Sequence, residues 1–236
     1  MADLSKFEEW KSIYKKPERY DPLTKWLDPT EIEFKTILKI VDFKDKTVLD
    51  VGAGTGRLTI PISEIAKKVC AIEPHEDMIN YMEKKVVEID NIEVKRASAE
   101  DIPYPDDFFD VVICSWVIQH FKDFKKSFSE MKRVIKKNGI LLVVYHNGGD
   151  DWEKLTLIED PNSKGIFKKR YKNVLKELKE FQNVKTKVLD SFITFPNIQI
   201  AEKIIRETTG LEAAKYVREN EMLEISNKIF IVYAKK

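Results

Sequence analysis

The sequence predicts an α/β fold: a mostly parallel sheet wound with helices on both faces. Two observations predict it. Apolar segments of strand length alternate with segments of helical periodicity from about residue 48 to residue 145, and the first of those strands runs directly into a glycine-rich turn, Val48-Leu49-Asp50-Val51-Gly52-Ala53-Gly54-Thr55-Gly56-Arg57. Strand–helix alternation of this kind calls for parallel strands joined by crossover helices. Val48, Leu49 and Val51 supply the strand, and a helix is expected from about Arg57 to Ala66. Glycine tolerates positive φ and lets a ligand approach the backbone, and the free N–H groups at the start of the following helix would face it. In open α/β sheets such a turn, at the carboxyl end of a strand, is where nucleotides bind.

The elements follow in order. Residues 1–27 form a polar N-terminal segment with scattered aromatics, Phe7, Trp10, Tyr14, Tyr20 and Trp26. Asp28-Pro29-Thr30-Glu31 opens a helix, with Asp28 as N-cap, Pro29 in the first turn and Glu31 at N3; Ile32, Ile37, Leu38 and Val41 give its apolar stripe. Cys70-Ala71-Ile72-Glu73 is a second strand. Then come a helix at 76–89, strands at 92–97 and 110–115, a helix at 123–136 and a strand at 139–145, with Asn138-Gly139 ending the helix. Residues 147–163, rich in Gly, Asp and Asn, read as a loop carrying Trp152. Tyr171, Val174, Leu175, Leu178 and Phe181 mark a helix at 166–181. Strands are expected at 185–195 and 227–234, with two helices over 197–222 joined at Thr208-Thr209-Gly210. No internal repeat or low-complexity linker interrupts the chain, so 1–236 reads as one domain: the N-terminal segment 1–27, a ligand-binding core 28–146 and a substrate-side region 147–236.

Composition narrows the function classes. Forty-three per cent of the 236 residues are hydrophobic, enough for a large core. Lys and Arg number 41 against 40 acids, a net charge of +1, which gives no global attraction to nucleic acid or an anionic membrane. No stretch of eighteen apolar residues and no secretory h-region is present, so a cytoplasmic protein is expected.

The glycine spacing separates two ligand classes. A dinucleotide fingerprint, G-x-G-x-x-G, needs its third glycine at position 57; that residue is Arg57, and the third glycine is Gly56. With Asp50 two residues before Gly52, the turn resembles the D/E-x-G-x-G-x-G signature of class I S-adenosylmethionine-dependent methyltransferases. Glu73 follows Gly54 by nineteen residues, the register of an acid that accepts from both ribose hydroxyls. The runs Ala97-Ser98-Ala99-Glu100-Asp101-Ile102-Pro103-Tyr104-Pro105 and Phe108 to Trp116 are similar to those of the type 11 subgroup, which includes ubiquinone and menaquinone biosynthesis enzymes. Ser98 departs from it, standing where many members carry an acid that accepts from the adenine amino group. The resemblance implies a Rossmann-like seven-stranded sheet of order 3-2-1-4-5-7-6, its last strand antiparallel, with the helical insertion 197–222 covering the active site. It implies S-adenosylmethionine as cofactor, held by Asp50, Gly52, Ala53, Gly54, Gly56, Glu73, Pro74, Met78, Ala99, Glu100, Ile102, Ser115 and Trp116. Ile72 joins Met78, Ala99 and Ile102 around the adenine, and Glu100 and the Ala99 N–H replace the missing acid.

Three histidines, His75, His120 and His146, each follow a strand and fall on its carboxyl edge. His120 and His146 are the candidates to take a proton from a methyl acceptor; the trio lacks a partner at metal-ligand spacing. Cys70 and Cys114 belong to strands flanking the first, about 10 Å apart, too far for a disulfide. The expected acceptor is a small or medium-sized molecule between 116–120, 145–152 and 197–222, with the aromatics at 10, 14, 20 and 26 on the opposite wall. Two basic clusters (Lys164, Lys168, Lys169, Arg170, Lys172; and Lys132, Arg133, Lys136, Lys137) raise the alternative of an RNA methyltransferase. The Asn/Asp-Pro-Pro-Tyr/Phe motif of amino-group nucleic-acid methyltransferases is replaced by Cys114-Ser115-Trp116-Val117. A non-catalytic regulatory protein that binds the cofactor is the other alternative.

Overall fold

The computed structural model describes residues 15–28, 31–146 and 148–236. The aromatics Phe7, Trp10 and Tyr14 and the helix-opening Pro29 and Thr30 lie outside the described residues, as does the side chain of Trp26.

Seven strands form one sheet: β1 (Thr47–Val51), β2 (Lys68–Glu73), β3 (Ile92–Arg96), β4 (Phe109–Ser115), β5 (Ile135–His146), β6 (Gln182–Thr194) and β7 (Glu224–Lys235). Their order is β3-β2-β1-β4-β5-β7-β6; β1 to β5 pair in parallel and β7 runs antiparallel to both of its neighbours. This is the expected order, and the central strands β1 and β2 are buried after their first residue because both of their faces are covered. Cys70 lies beside Leu49 and Cys114 beside Val51, on opposite sides of β1. Both are buried free thiols.

One face of the sheet packs Leu49, Ile72, Val112, Leu141, Val143 and Val232 against α5 (Phe124–Val134) and α7 (Ile166–Glu177). The other packs Val48, Val111, Ile113, Val144, Ile229 and Ile231 against α2 (Ile32–Ile40) and α3 (Thr59–Ser63), and α4 (Glu76–Val86) covers Ala53 and Ala71. A third core stands apart. Leu23 of α1 (Pro17–Leu27), Leu155 of α6 (Asp151–Glu159), Ile204 and Ile205 of α8 (Ile198–Thr208), and Ala213 and Val217 of α9 (Leu211–Glu219) meet around Ile193 and Ile225. Ile193 is the last residue but one of β6 and Ile225 the second of β7, so this cluster sits at the carboxyl edge of the parallel strands.

Several boundaries differ from the sequence expectation. Helix α2 starts at Ile32, yet Asp28 still caps it, accepting from the N–H groups of Ile32 (2.9 Å) and Glu33 (3.0 Å); Glu31 sits before the helix in the left-handed region. Helix α3 is a single turn, because the glycine turn continues to Leu58. Helix α5 ends at Val134, two residues early. Ile135 already pairs with Phe109, and Asn138-Gly139 lies inside β5 where the register shifts between Phe109 and Val111; pairing with β4 overrides the helix-ending signal. The polar stretch 147–163 contains α6, whose first turn is capped by Asp150 accepting from the Glu153 N–H. Asp150 and Asp160 are its cap residues, and the periodicity between them is short.

Candidate cofactor and acceptor site

Asp50 and the three glycines form one unit. The Asp50 Oδ2 accepts from the Thr59 hydroxyl at 2.7 Å beneath the turn; burial pushes its pKa up to about 6, against the pull of the Thr59 hydrogen bonds. Gly52, Gly54 and Gly56 all have positive φ, +69°, +57° and +86°. The N–H groups of Gly52 and Ala53 both donate to the Ile72 carbonyl, which fastens the turn to β2. A Cβ on Gly52 would lie 2.5 Å from Val117 Cγ2, so this glycine is required by the loop after β4 as well as by its own backbone. Glu73, at the end of β2, accepts from the Gly54 N–H (3.1 Å) and from the His75 N–H (3.0 Å). Its carboxylate therefore bridges the turn and the start of α4. Burial raises Glu73 to about 6, although both amides favour the ionised form.

A second layer lies behind the turn. Arg57 donates from Nη1 to Glu33 Oε2 (3.1 Å) and from Nη2 to Glu33 Oε1 (2.9 Å) and Ser115 Oγ (3.0 Å). Ser115 Oγ and Trp116 Nε1 donate to the same carboxylate at 2.7 and 2.8 Å. Burial opposes ionisation of Glu33, but the Arg57 charge and these donors hold its pKa below the usual range. Trp116 has φ +59°, a strained geometry for a bulky residue, and its hydrogen bond to Glu33 fixes it. Sequence reasoning gave neither Glu33 nor Arg57 a role; the only signal was that Arg57 interrupts the dinucleotide spacing. Helix α1 lies over the turn: Lys85 donates to Asp21 (2.8 Å) and to the Thr55 carbonyl (2.9 Å), and Tyr20 Cε1 is 3.8 Å from where a Gly54 Cβ would stand.

Along the other side of the turn, Ile72, Met78, Ala99 and Ile102 are buried and Pro74 is exposed. Glu100 accepts from the N–H groups of Lys122 (2.8 Å) and Asp123 (3.4 Å). Ser98 forms a bridge with Asp101.

The histidines part company. His146, 5% exposed at the end of β5, places Nε2 2.7 and 3.0 Å from the two Asp150 carboxylate oxygens. Burial works against the Asp150 charge, but the bond to His146 and the amides of Glu153 and Lys228 hold its pKa down. An ionised carboxylate only accepts, so His146 carries its proton on Nε2. The buried Nδ1 then has no hydrogen-bond partner among the described residues. His120 keeps one edge in solvent, but crowding of its ring and the charges of Arg170 and His75 push it down to about 4. No group able to hold a metal ion occurs among the described residues. In the second basic cluster Lys132 pairs with Glu180, Arg133 with Glu130 and Asp106, and Lys136 with Asp110, so its charge is largely neutralised.

A doubly wound sheet of this order, with an acid-and-glycine turn after β1 and an acid ending β2, defines the class I methyltransferase fold. Residues 49–143 match the Methyltransf_11 family, described as a methyltransferase domain. It is 32% identical over 108 residues to the uncharacterized methyltransferase YcgJ of Bacillus subtilis, covering 44% of this chain and 42% of that protein. It is 35% identical over 103 residues to the ubiquinone/menaquinone biosynthesis C-methyltransferase UbiE of Vibrio vulnificus, covering 41% of this chain and 40% of that protein. The match thus spans about two-fifths of these curated relatives. In fold, the chain is similar to the crystal structure of Bacillus subtilis YcgJ (TM-score 0.65, 19% identity, 86% of this chain and 97% of that one). It is also similar to a SAM-dependent methyltransferase of Thermotoga maritima titled a possible histamine N-methyltransferase (TM-score 0.63, 17% identity, 97% and 99%).

Proposed function

We propose that this protein transfers a methyl group from S-adenosylmethionine to a small or medium-sized acceptor. The observation that carries this reading is the Glu73 carboxylate set against the Gly54 N–H at 3.1 Å, over a turn whose three glycines all have positive φ. That arrangement offers backbone donors and one acid side by side, which suits the amino-acid and ribose parts of the cofactor. Asp50 positions the turn through Thr59, Glu73 receives the ribose hydroxyls, and Ile72, Met78, Ala99 and Ile102 supply apolar surface for the adenine. Ser115 and Trp116, fixed by Glu33, form the floor between the cofactor and the acceptor. The bound cofactor supplies the methyl group on a sulfonium that leaves as a neutral thioether.

On the acceptor side, His146 is the base. Asp150 holds Nε2–H, so the Nδ1 lone pair is available for the proton released as the acceptor atom is methylated. The third core, built from α1, α6, α8 and α9, serves as the cover that excludes water. UbiE is by name a C-methyltransferase, but the acceptor of this chain is left open, since one fold and cofactor serve many acceptors.

Calorimetry with S-adenosylmethionine, its demethylated product and NAD tests the cofactor. Binding of NAD alone overturns the reading. Radiolabelled cofactor incubated with small-molecule cell extract tests turnover: a labelled product that depends on the protein is expected, and tight cofactor binding without turnover favours a regulatory protein instead.

A further inference from the structure

Arg170 on α7 is the one member of the 164–172 basic cluster with a distinctive setting. Its neighbours Lys168, Lys169 and Lys172 are exposed, whereas Arg170 is half-buried. Its guanidinium carbon lies 5.5 Å from the centroid of the Phe167 ring. Phe167, itself 5% exposed, meets the His146 ring edge-to-face at 4.6 Å. Arg170 therefore belongs to the same wall as the His146–Asp150 pair, and its charge is felt at His120 after β4. Among the described residues, no carboxylate lies within ion-pairing distance of it, while Arg57 has one and Arg133 has two. Burial lowers its pKa only to about 10, so it is cationic at neutral pH. A partly desolvated cation with an aromatic ring beneath it and no counter-charge is costly unless an anion joins it.

We propose that Arg170 receives an anionic oxygen group, a carboxylate or a phosphate, carried by the methyl acceptor. This rests on the methyltransferase reading and specifies its substrate class. The planar guanidinium gives two parallel donors to such a group, Phe167 supports its face, and His146 stands beyond Phe167 to serve the acceptor's nucleophilic atom. The amino-acid end of the cofactor falls to the other side, at the Gly52–Gly56 turn. A nucleic-acid backbone is the less economical occupant, because the lysines that would share its contacts face bulk solvent and Arg170 alone turns inward.

Inorganic phosphate and benzoate are the probes, each titrated into the full-length protein saturated with demethylated cofactor. Calorimetry reads affinity, and the His120 ring proton signal reads the local charge. At least one anion is expected to bind and to raise the His120 pKa, because it screens Arg170. Arg170→Gln is expected to weaken that anion at least about tenfold, with Arg170→Lys intermediate. The melting temperature and the cofactor affinity should match those of the parent within experimental error. Absence of binding by either probe, or equal binding to Arg170→Gln, overturns the proposal. Loss of cofactor affinity in Arg170→Gln overturns it by assigning Arg170 to the cofactor's own carboxylate. Arg170-dependent binding of a single-stranded RNA oligonucleotide more tightly than either anion overturns it in favour of nucleic acid. If the parent binds no cofactor, the methyltransferase reading falls, and the same titrations on the protein alone still decide whether Arg170 holds an anion.

Discussion

Arg57, the residue after the third glycine, makes a two-pronged ion pair with Glu33 of α2 at 3.1 and 2.9 Å. The Glu33 side chain is 1% exposed, and the same carboxylate orders Ser115 and Trp116. The pair joins the helix before the sheet to the turn after β1 and the loop after β4, so it sets the relative placement of the site's two sides.

Removing one partner leaves the other charge buried. Glu33→Ala is therefore expected to cost about 3–5 kcal/mol, a fall in Tm of about 2–4 °C for each kcal/mol in a chain of this size. Thermal unfolding by circular dichroism measures it. A change within 2 °C (an order-of-magnitude bound from the same scaling) would mean that the pair contributes little to the fold.

Gly52 and Gly54 have similar φ but different surroundings. A Gly52 Cβ meets Val117 at 2.5 Å, whereas the nearest atom to a Gly54 Cβ is 3.8 Å away. Gly54→Ala should cost about 1–2 kcal/mol from backbone strain alone. Gly52→Ala should cost clearly more, and it should displace the Val117 loop. Equal stabilities in urea unfolding would refute the clash.

Asp50 gives a pH signature. Its folded pKa of about 6 lies above the ordinary value of 3.8, so folding favours the neutral acid. The stability this confers is full below about pH 4 and is lost as the pH rises through 6. Asp50→Asn keeps a carbonyl for the Thr59 hydroxyl and removes the buried charge, so at pH 7.5 it should stabilise the fold by up to about 3 kcal/mol, at 1.36 kcal/mol per pKa unit. The gain should vanish near pH 4. A gain independent of pH would show that Asp50 is not the group titrating.

Glu73 is raised to about 6 for the same reason, and its ionised form is the better acceptor for ribose hydroxyls. Affinity for the demethylated cofactor should climb as pH rises from 5 to 7 and then level off, and Glu73→Ala should lower it by more than about tenfold, since a charged hydrogen bond contributes over 1 kcal/mol. Calorimetry across that pH range with both proteins checks this. A flat profile in the parent protein would remove Glu73 from the ribose.

The His146–Asp150 pair should separate binding from chemistry. His146→Gln is expected to reduce the methyl-transfer rate about 10²-fold or more, the usual contribution of a general base, with cofactor affinity unchanged. Asp150→Asn should reproduce much of the loss, because the amide no longer holds His146 in the Nε2–H form. Single-turnover transfer of label into the product isolated from extract is the measurement. Unaltered rates in both variants would leave proximity alone as the catalytic device.

The sequence by itself determined the strand–helix alternation and the glycine turn, while the strand order came from the family resemblance that these motifs carry. The alternation and the turn depend on short-range requirements: apolar runs of strand length, glycines where φ must be positive, and an acid at a set distance along the chain from Gly54. The two expected helices of the insertion and their junction at Thr208-Thr209-Gly210 were legible for the same reason, since α8 and α9 each present their own apolar stripe. What only the tertiary structure decided is where polar partners meet. Glu33 reaches Trp116 across 83 residues and Arg57 across 24, and no local pattern marks a carboxylate for a partner that distant. Asp150 is only four residues from His146, yet its stretch reads as loop until α6 packs into the third core and turns its cap toward the histidine. Arg170 shows the same limit most plainly: in sequence it is one cation among five, a turn away from Phe167 on one helix face, and only the packing of Phe167 against His146 brings it beside the end of β5.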